Sequence, residues 1–327
     1  MPSVSLAEIE RTVKSALMQH GAGAFAAAEV ARAVARAEAT GNRICGLYYL
    51  ESYCMQLRSG RVKGDVVPLV TAVRPAAVQV DALMGFAQPA FAYGLAPALD
   101  AARRFGVATL AVGHAHTCTS LGYFTEQIAQ AGMIGLGMTN ASPIVAPPGG
   151  KTRMIGTNPI AFSVPDGNGG LAMQFDQSTT TVALGKITMA KAAGETIPEG
   201  WALDVNGHPT TDPTAALAGS LVSIGGYKGW GFGLMAELLV AGMTGGVLSR
   251  DVKPLKAPDG PPHDLGQFYI LIDPSTSDAF ADRLAALRDL VGQDEGGRLP
   301  GQHRVIADPV DVDDASWEQA QTLSLPS

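Results

Sequence analysis

The segment MIGLGMTNASPIVAPPGGKTRMIGTNPIAFSVP, residues 133–165, decides which kind of α/β protein this chain forms. Its two apolar runs, 133–140 and 160–165, read as strands, and the proline- and glycine-rich stretch between them reads as loop. Gly135 and Gly137 supply the first two places of G-x-G-x-x-G, but Asn140 takes the third and both glycines fall inside the strand. A dinucleotide turn of that type needs its glycines after the strand, where helix amides meet the pyrophosphate. The phosphate loop G-x-x-x-x-G-K-T also misses by one place: Gly150, Lys151 and Thr152 fit, while Val145 stands where the first glycine belongs. Any dinucleotide site in this chain is therefore built on another scaffold.

Outward from this segment, strands alternate with helices. Further strands are expected at 76–83, 108–116, 171–177 and 267–273, and helices near 95–104, 122–131, 179–192, 230–243 and 277–291. Such alternation predicts a mixed α/β fold. The first sixty residues read as helices instead. Ser5 and Glu8 form a capping box ahead of the apolar face Leu6, Ile9, Val13 and Leu17; an Ala-rich helix covers 24–39, and a third covers 47–57.

Composition removes several classes of function. The chain has 327 residues, 46% hydrophobic and 16% charged, with 39 glycines and a net charge of -7. That is enough for about two domains at ~100–200 residues each, and too apolar for disorder. An acidic balance without a basic run excludes binding driven by a nucleic-acid backbone. The most apolar stretch, residues 230–247, carries Glu237 in its middle, so it reads as a buried helix and not a membrane span. The N-terminal stretch reads as a capped helix and not a signal peptide. Three cysteines, Cys45, Cys54 and Cys118, cannot all pair within one chain, which points to a reducing, cytoplasmic setting.

Chemistry concentrates in a few places. The loops PPGG (147–150), GTNP (156–159) and GGYKG (225–229) present backbone amides to a ligand, and Lys228 adds a compact charge suited to phosphate. His114, His116 and Cys118 share one face at a strand end, but His20, His208, His263 and His303 are too scattered to complete a metal site, so proton transfer by one histidine is the better reading. Cys45, at the mouth of the third helix, has an acidic thiol there if it is exposed. Asp176, between a strand and an expected helix, caps that helix, orients an imidazole or holds a ribose hydroxyl; the sequence leaves these open.

The order of the pieces resembles the type-2 malate/L-lactate dehydrogenase family, especially its cyclic ketimine reductases. The resemblance spans LRSGRVKG (57–64), DALMGFAQPA (81–90), TNASPIVAPPGG (139–150), IGTNPIAFSVP (155–165), MQFDQST (173–179), GGYKGWGFGLMAELLVAGMTGG (225–246) and RLPGQHR (298–304). It implies a non-Rossmann NAD(P)-binding fold and a homodimer. Residues 1–115 with 290–327 would form a helical, substrate and dimer part, and 116–289 a cofactor part. The cofactor would lie across Gly149, Gly150, Asp176, Ser178, Thr179, Tyr227, Lys228, Gly301 and His303, with His116 nearby. His303 takes the place that is acidic in NAD users, which favours NADPH over NADH, since an imidazole does not repel a 2'-phosphate as a carboxylate does.

The departures bear on the substrate, a small molecule. The family's Ser-His-Gly with an Arg three residues later becomes Ile44, Cys45, Gly46 and Tyr49, so the usual proton donor and carboxylate anchor are both absent. Catalysis then falls to Cys45, His116 and Asp176, and substrate contact to Arg43 and Tyr49. Ketone reduction creates an alkoxide that needs a proton, which a positioned acid supplies with a gain of ~100-fold to 10,000-fold. A protonated imine needs none. Reduction of a cyclic imine such as Δ1-piperideine-2-carboxylate or Δ1-pyrroline-2-carboxylate is the leading expectation. The alternatives are a 2-hydroxy acid dehydrogenase, a reductase of carboxylate-free imines, and a cofactor-binding homologue without dehydrogenase activity.

Overall fold

The computed structural model describes residues 1–302 and 304–326. Its centre is a seven-stranded sheet in the order Leu69–Arg74, Ala77–Asp81, Val107–Ala115, Leu265–Ile272, Ile134–Thr139, Ile160–Pro165, Leu171–Gln177. Ala77–Asp81 and Val107–Ala115 run parallel, joined by the crossover helix Ala87–Phe105; the other neighbours are antiparallel. This is the expected mixed α/β architecture. The sheet draws strands from both sides of residue 115, so the expected boundary there crosses one hydrogen-bonded layer.

Period-two alternation sends side chains to two cores. Leu110, Val112, Tyr269 and Leu271 pack with Phe91 and Phe124 under the helices Ala87–Phe105 and Gly122–Gln130. Ala111, Met138 and Phe268 pack on the other face with Ala236 and Val240 of the helix Tyr227–Thr244. Glu237, inside that helix, accepts from Asn158 Nδ2 at 2.7 Å and from Ser249 N at 2.6 Å and Oγ at 2.5 Å. It thereby ties the GTNP loop to the helix. A buried carboxylate with its acceptor sites filled is what keeps this apolar segment in a globular core.

The helices Leu6–Gln19, Ala24–Ala39 and Leu50–Ser59 form a separate layer with Val310, Val312, Trp317 and Ala320. Ser5 caps the first of them by accepting from Glu8 N, as its sequence predicts. The N-terminal Ser3–Val4 pairs with Val310–Asp311, which brings the far end of the chain onto this layer. A small lobe around Val145, Ile155, Ile187, Ala202 and Leu221 completes the molecule.

Two expectations need correction. The helix expected from 179 begins only at Leu184, so Asp176 does not cap it. Strand Leu69–Arg74 was not anticipated because all six of its residues are exposed and no alternation marks it.

Candidate active site

One wall is built by the turn Leu47–Tyr49 and the helix that follows it. Tyr49 and Tyr53, four residues apart, share a helix face with ring centroids 5.7 Å apart. Tyr53 and Phe86 pack edge-on to His116 at 5.6 and 5.3 Å, and His116 stacks on His263 at 4.0 Å and 19°. Over this wall runs a strap, residues 253–262, pinned by side chains bonding to its carbonyls. Gln56 Nε2 donates to Leu255 O (2.8 Å) and Ala257 O (2.6 Å), Ser59 Oγ to Pro258 O (2.7 Å), and Arg61 to Pro261 O (3.0 Å) and Ala257 O (2.5 Å).

These bonds assign the histidine tautomers. The amide nitrogen of Gln56 is committed to two carbonyls, so its Oε1, 2.6 Å from His116 Nε2, accepts and His116 carries its proton on Nε2. His263 Nδ1 accepts from Thr117 N at 3.2 Å, so its proton also sits on Nε2. His116 Nδ1 is left as a buried lone pair and His263 Nε2 as a buried donor, both unpartnered among the described residues. Burial, the neighbouring His263 and Arg61 push the His116 pKa well below the usual imidazole range, and His263 is lowered to about 3 by burial and Arg61. Both rings are neutral at pH 7.

At the other end, Asp176 Oδ2 accepts from Gly122 N at 2.7 Å and faces Ser120 Oγ at 3.5 Å. It thus caps the helix Gly122–Gln130, whose own cap position, Leu121, offers no oxygen. Burial raises its pKa, against the lowering bond from Gly122 and the charge of Arg304. A cavity of about 310 Å³ opens beside it, lined by Asn42, Ser120, Arg36 and Arg304 among others. Cys45 lies close to Asp176 and Asn42, and its thiol is pushed up to about 12, by burial first and then by Asp176. Tyr49 is likewise raised to about 12, by burial and then Cys45.

A third group of elements suits a phosphate. Gly225 and Gly226, at φ +60° and +64°, turn the chain into the 18-residue helix Tyr227–Thr244, whose first turn has no side-chain cap. Lys228 is exposed in that turn; just before it Ile224 N donates to Thr179 O at 3.0 Å, and Thr179 Oγ1 lies against Gly233 of the helix.

A family model described as malate/L-lactate dehydrogenase matches residues 4–310. The chain belongs to that family. It is 40% identical over 302 residues to a (2R)-3-sulfolactate dehydrogenase (NADP(+)) of Chromohalobacter salexigens, covering 92% of this chain and 90% of the relative. It is 37% identical over 312 residues to a Δ1-pyrroline-2-carboxylate reductase of Ancylobacter novellus, covering 93% and 90%. The crystal structure of Δ1-piperideine-2-carboxylate reductase from Pseudomonas syringae superposes with a TM-score of 0.91 at 34% identity, covering 99% of this chain and all of that one.

For a malate/L-lactate dehydrogenase family member, an NAD(P)-dependent oxidoreductase, several expected site residues come together and others do not. Cys45, Tyr49 and Asp176 cluster, and His116 joins them through Tyr53. The thiol of Cys45 is not acidic: it ends a short 3-10 turn, not an α-helix start, and burial holds it protonated. Arg43 turns away, its Nη2 donating to Asp311 O at 2.9 Å. Ser178 pairs with Thr180 Oγ1 at 2.8 Å, and Gly149 lies in an exposed turn at φ +79° with Gly150 beside it. Gly301 presses on Gln174, whose carbonyl a Cβ there would meet at 2.8 Å. His303 lies outside the described residues. His114 bonds Asp264 at 2.7 Å, and no cluster of metal-ligating side chains occurs among the described residues. Sequence reasoning missed Gln56, Arg61 and His263, although Arg61 stands in the quoted LRSGRVKG; the partners of Gln56 and Arg61 lie about 200 residues away in the strap, and that of His263 is Thr117.

Proposed function

We propose that this chain reduces a cyclic 2-imino carboxylate, of the Δ1-pyrroline- or Δ1-piperideine-2-carboxylate type, with NADPH. The observation that carries this reading is the protonation of the wall. Cys45 and Tyr49 hold their protons up to about 12, and His116 is neutral, so all three are weak proton donors near pH 7. A reaction whose substrate arrives already protonated asks least of such a wall, and ketone reduction asks more.

The cofactor's place rests on the uncapped amides of Tyr227–Thr244, Lys228 and the adjoining Ser178–Thr179 segment, with PPGG and Gly301 at the edges. Bound there, the reduced nicotinamide supplies a hydride. Asp176 orders the start of Gly122–Gln130, while Tyr49, Tyr53 and Phe86 exclude water beside His116, whose Nδ1 lone pair accepts a hydrogen bond from an iminium N–H. The NADPH preference rests on His303 and on the NADP(+)-dependent relative. We further propose that residues 1–115 with 290–327 serve substrate contact and dimer formation and 116–289 cofactor binding, with His116 and the exposed face of Tyr227–Thr244 contributing across that division, in a homodimer and a cytoplasmic setting in keeping with three free thiols.

The test is NADPH oxidation with both cyclic imines, pyruvate, oxaloacetate and 3-sulfopyruvate. Imines should react at least ~100-fold faster in kcat/KM, the low end of what a missing acid costs a ketone; turnover confined to keto acids would sink the reading. One observation favours a second reading, oxidation of a 2-hydroxy acid: the same unprotonated Nδ1 of His116 accepts a hydroxyl proton, and the 40% identical relative is named for sulfolactate.

A further inference from the structure

Arg61 is 1% exposed, the largest of the fully buried side chains. Its Nε and Nη1 donate to strap carbonyls, but Nη2 has no partner, and no carboxylate lies within ion-pair distance of it among the described residues. Carbonyl dipoles only partly offset the desolvation of a buried guanidinium. Its neighbours sharpen the demand. His263, stacked on His116, has no partner at full hydrogen-bond geometry for its Nε2–H, although the Leu255 carbonyl of the strap lies near the ring. The carboxylate of Asp259 acts on Arg61 by charge without forming an ion pair among the described residues, so the free Nη2–H of Arg61 and the Nε2–H of His263 are a donor set that an anionic ligand would complete.

We propose that Arg61 and His263, beneath the 253–262 strap, bind the anionic group of the substrate, a carboxylate on the reading above. This rests on the proposed imine or 2-hydroxy acid chemistry and explains how the chain tolerates the loss of a cation at position 49. Tyr49 has only a phenol to offer and Arg43 is engaged at Asp311. The anchor has moved to the far end of the same helix, just past Gly60, where the chain leaves in a left-handed turn. Arg61 and His263 are close enough for the guanidinium charge to act on the ring. The anion takes the unpaired Nη2–H of Arg61 and the Nε2–H of His263. A lone pair remains on His116 Nδ1 for the rest of the substrate, its tautomer held by Gln56. The strap lies over this donor set through hydrogen bonds to its backbone carbonyls from Gln56, Ser59 and Arg61, of which only Ser59 is exposed.

The test compares binding of pyrrole-2-carboxylate with pyrrole-2-carboxamide, a neutral isostere, to the full chain loaded with NADPH, by calorimetry. The acid should bind about 10- to 100-fold tighter, the worth of one charge-assisted hydrogen bond. Arg61→Met should bring that ratio close to 1, Arg61→Lys should restore part of it, and the NADPH affinity should stay the same in both. If Arg61→Met fails to fold, the wild-type ¹⁵N shifts of the Arg61 guanidinium and His263 Nε2 decide: both should move with the acid and stay with the amide. An unchanged acid-to-amide ratio in Arg61→Met, a loss confined to NADPH binding, or no acid preference in the wild type would each overturn the proposal. Turnover is not read at any point. Failure of the imine assay therefore leaves this result standing, and active imine reduction with an Arg61-independent ratio rejects only the anchor.

Discussion

His116 shows how neighbours fix chemistry that a residue type leaves open. A histidine at a strand end is an acid, a base or a metal ligand until its tautomer is known. Gln56, tied to two strap carbonyls, makes it an Nε2–H tautomer, and burial beside His263 and Arg61 keeps it neutral. The stability of the protein should register the same burial. An unfolded imidazole titrates near 6.5, whereas His263 in the fold is held to about 3. As pH falls from 6.5 towards 3 the unfolded chain gains a proton that the folded one does not, so stability is lost on acidification, by about 1.4 kcal/mol per pH unit for each such group. Urea denaturation of His263→Phe between pH 6 and 4 should show a slope flatter by one group's share, and an identical slope would mean that His263 ionises in the native state. At this scale Cys45, His116 and Asp176 were legible as types. Their protonation was not, because burial and partners set it. Arg43 failed for a related reason: proximity in sequence says nothing of where a flexible side chain finds its acceptor.

Elements were easier to read than their ends. Ile160–Pro165, Leu171–Gln177 and Ala24–Ala39 match their expected spans because alternation, apolar period and flanking glycines agree. The helix expected from 179 starts late because Thr179 and Thr180 are instead drawn into backbone bonds with Ile224 and Ser223. That diversion places Ser178–Thr179 against the opening turn of Tyr227–Thr244, where we put a phosphate of the cofactor. Replacing Lys228 by Ala should weaken NADPH binding about tenfold and reduce its salt dependence, measured by fluorescence titration at two ionic strengths. An unaltered affinity would move the phosphate elsewhere. Such an element is legible as a glycine-rich loop; its role as an anion site depends on the helix that follows having no cap of its own.

At the scale of the molecule, the helix Tyr227–Thr244 is apolar on every side. One side packs on the sheet through Ala236 and Val240, but Phe232, Leu234, Met235, Leu238 and Met243 are exposed. Gln79 Nε2 reaches Met243 O at 3.5 Å, and exposed Leu69 of the edge strand lies near Thr244 at the end of this helix. An exposed apolar helix face of this kind marks an association surface. Light scattering should give about twice the 33.7 kDa chain mass, and Phe232→Lys with Leu238→Lys should return it to one chain; a wild-type monomer would leave the face to another partner.

Residues 133–165 already exclude both common nucleotide loops, side-chain period already implies a mixed α/β fold with a helical N-terminal layer, and positions 45 and 49 already lack the usual donor and anchor. These are local properties, set by side-chain period, turn residues and motif spacing. Which groups meet is a matter of tertiary contact: Asp176 with the start of another helix, Gln56 and Arg61 with a strap about 200 residues away, and His263 with Thr117. Contacts at that separation leave no periodic trace in the chain. The desolvation that fixes their charge exists only once the layers have closed over them.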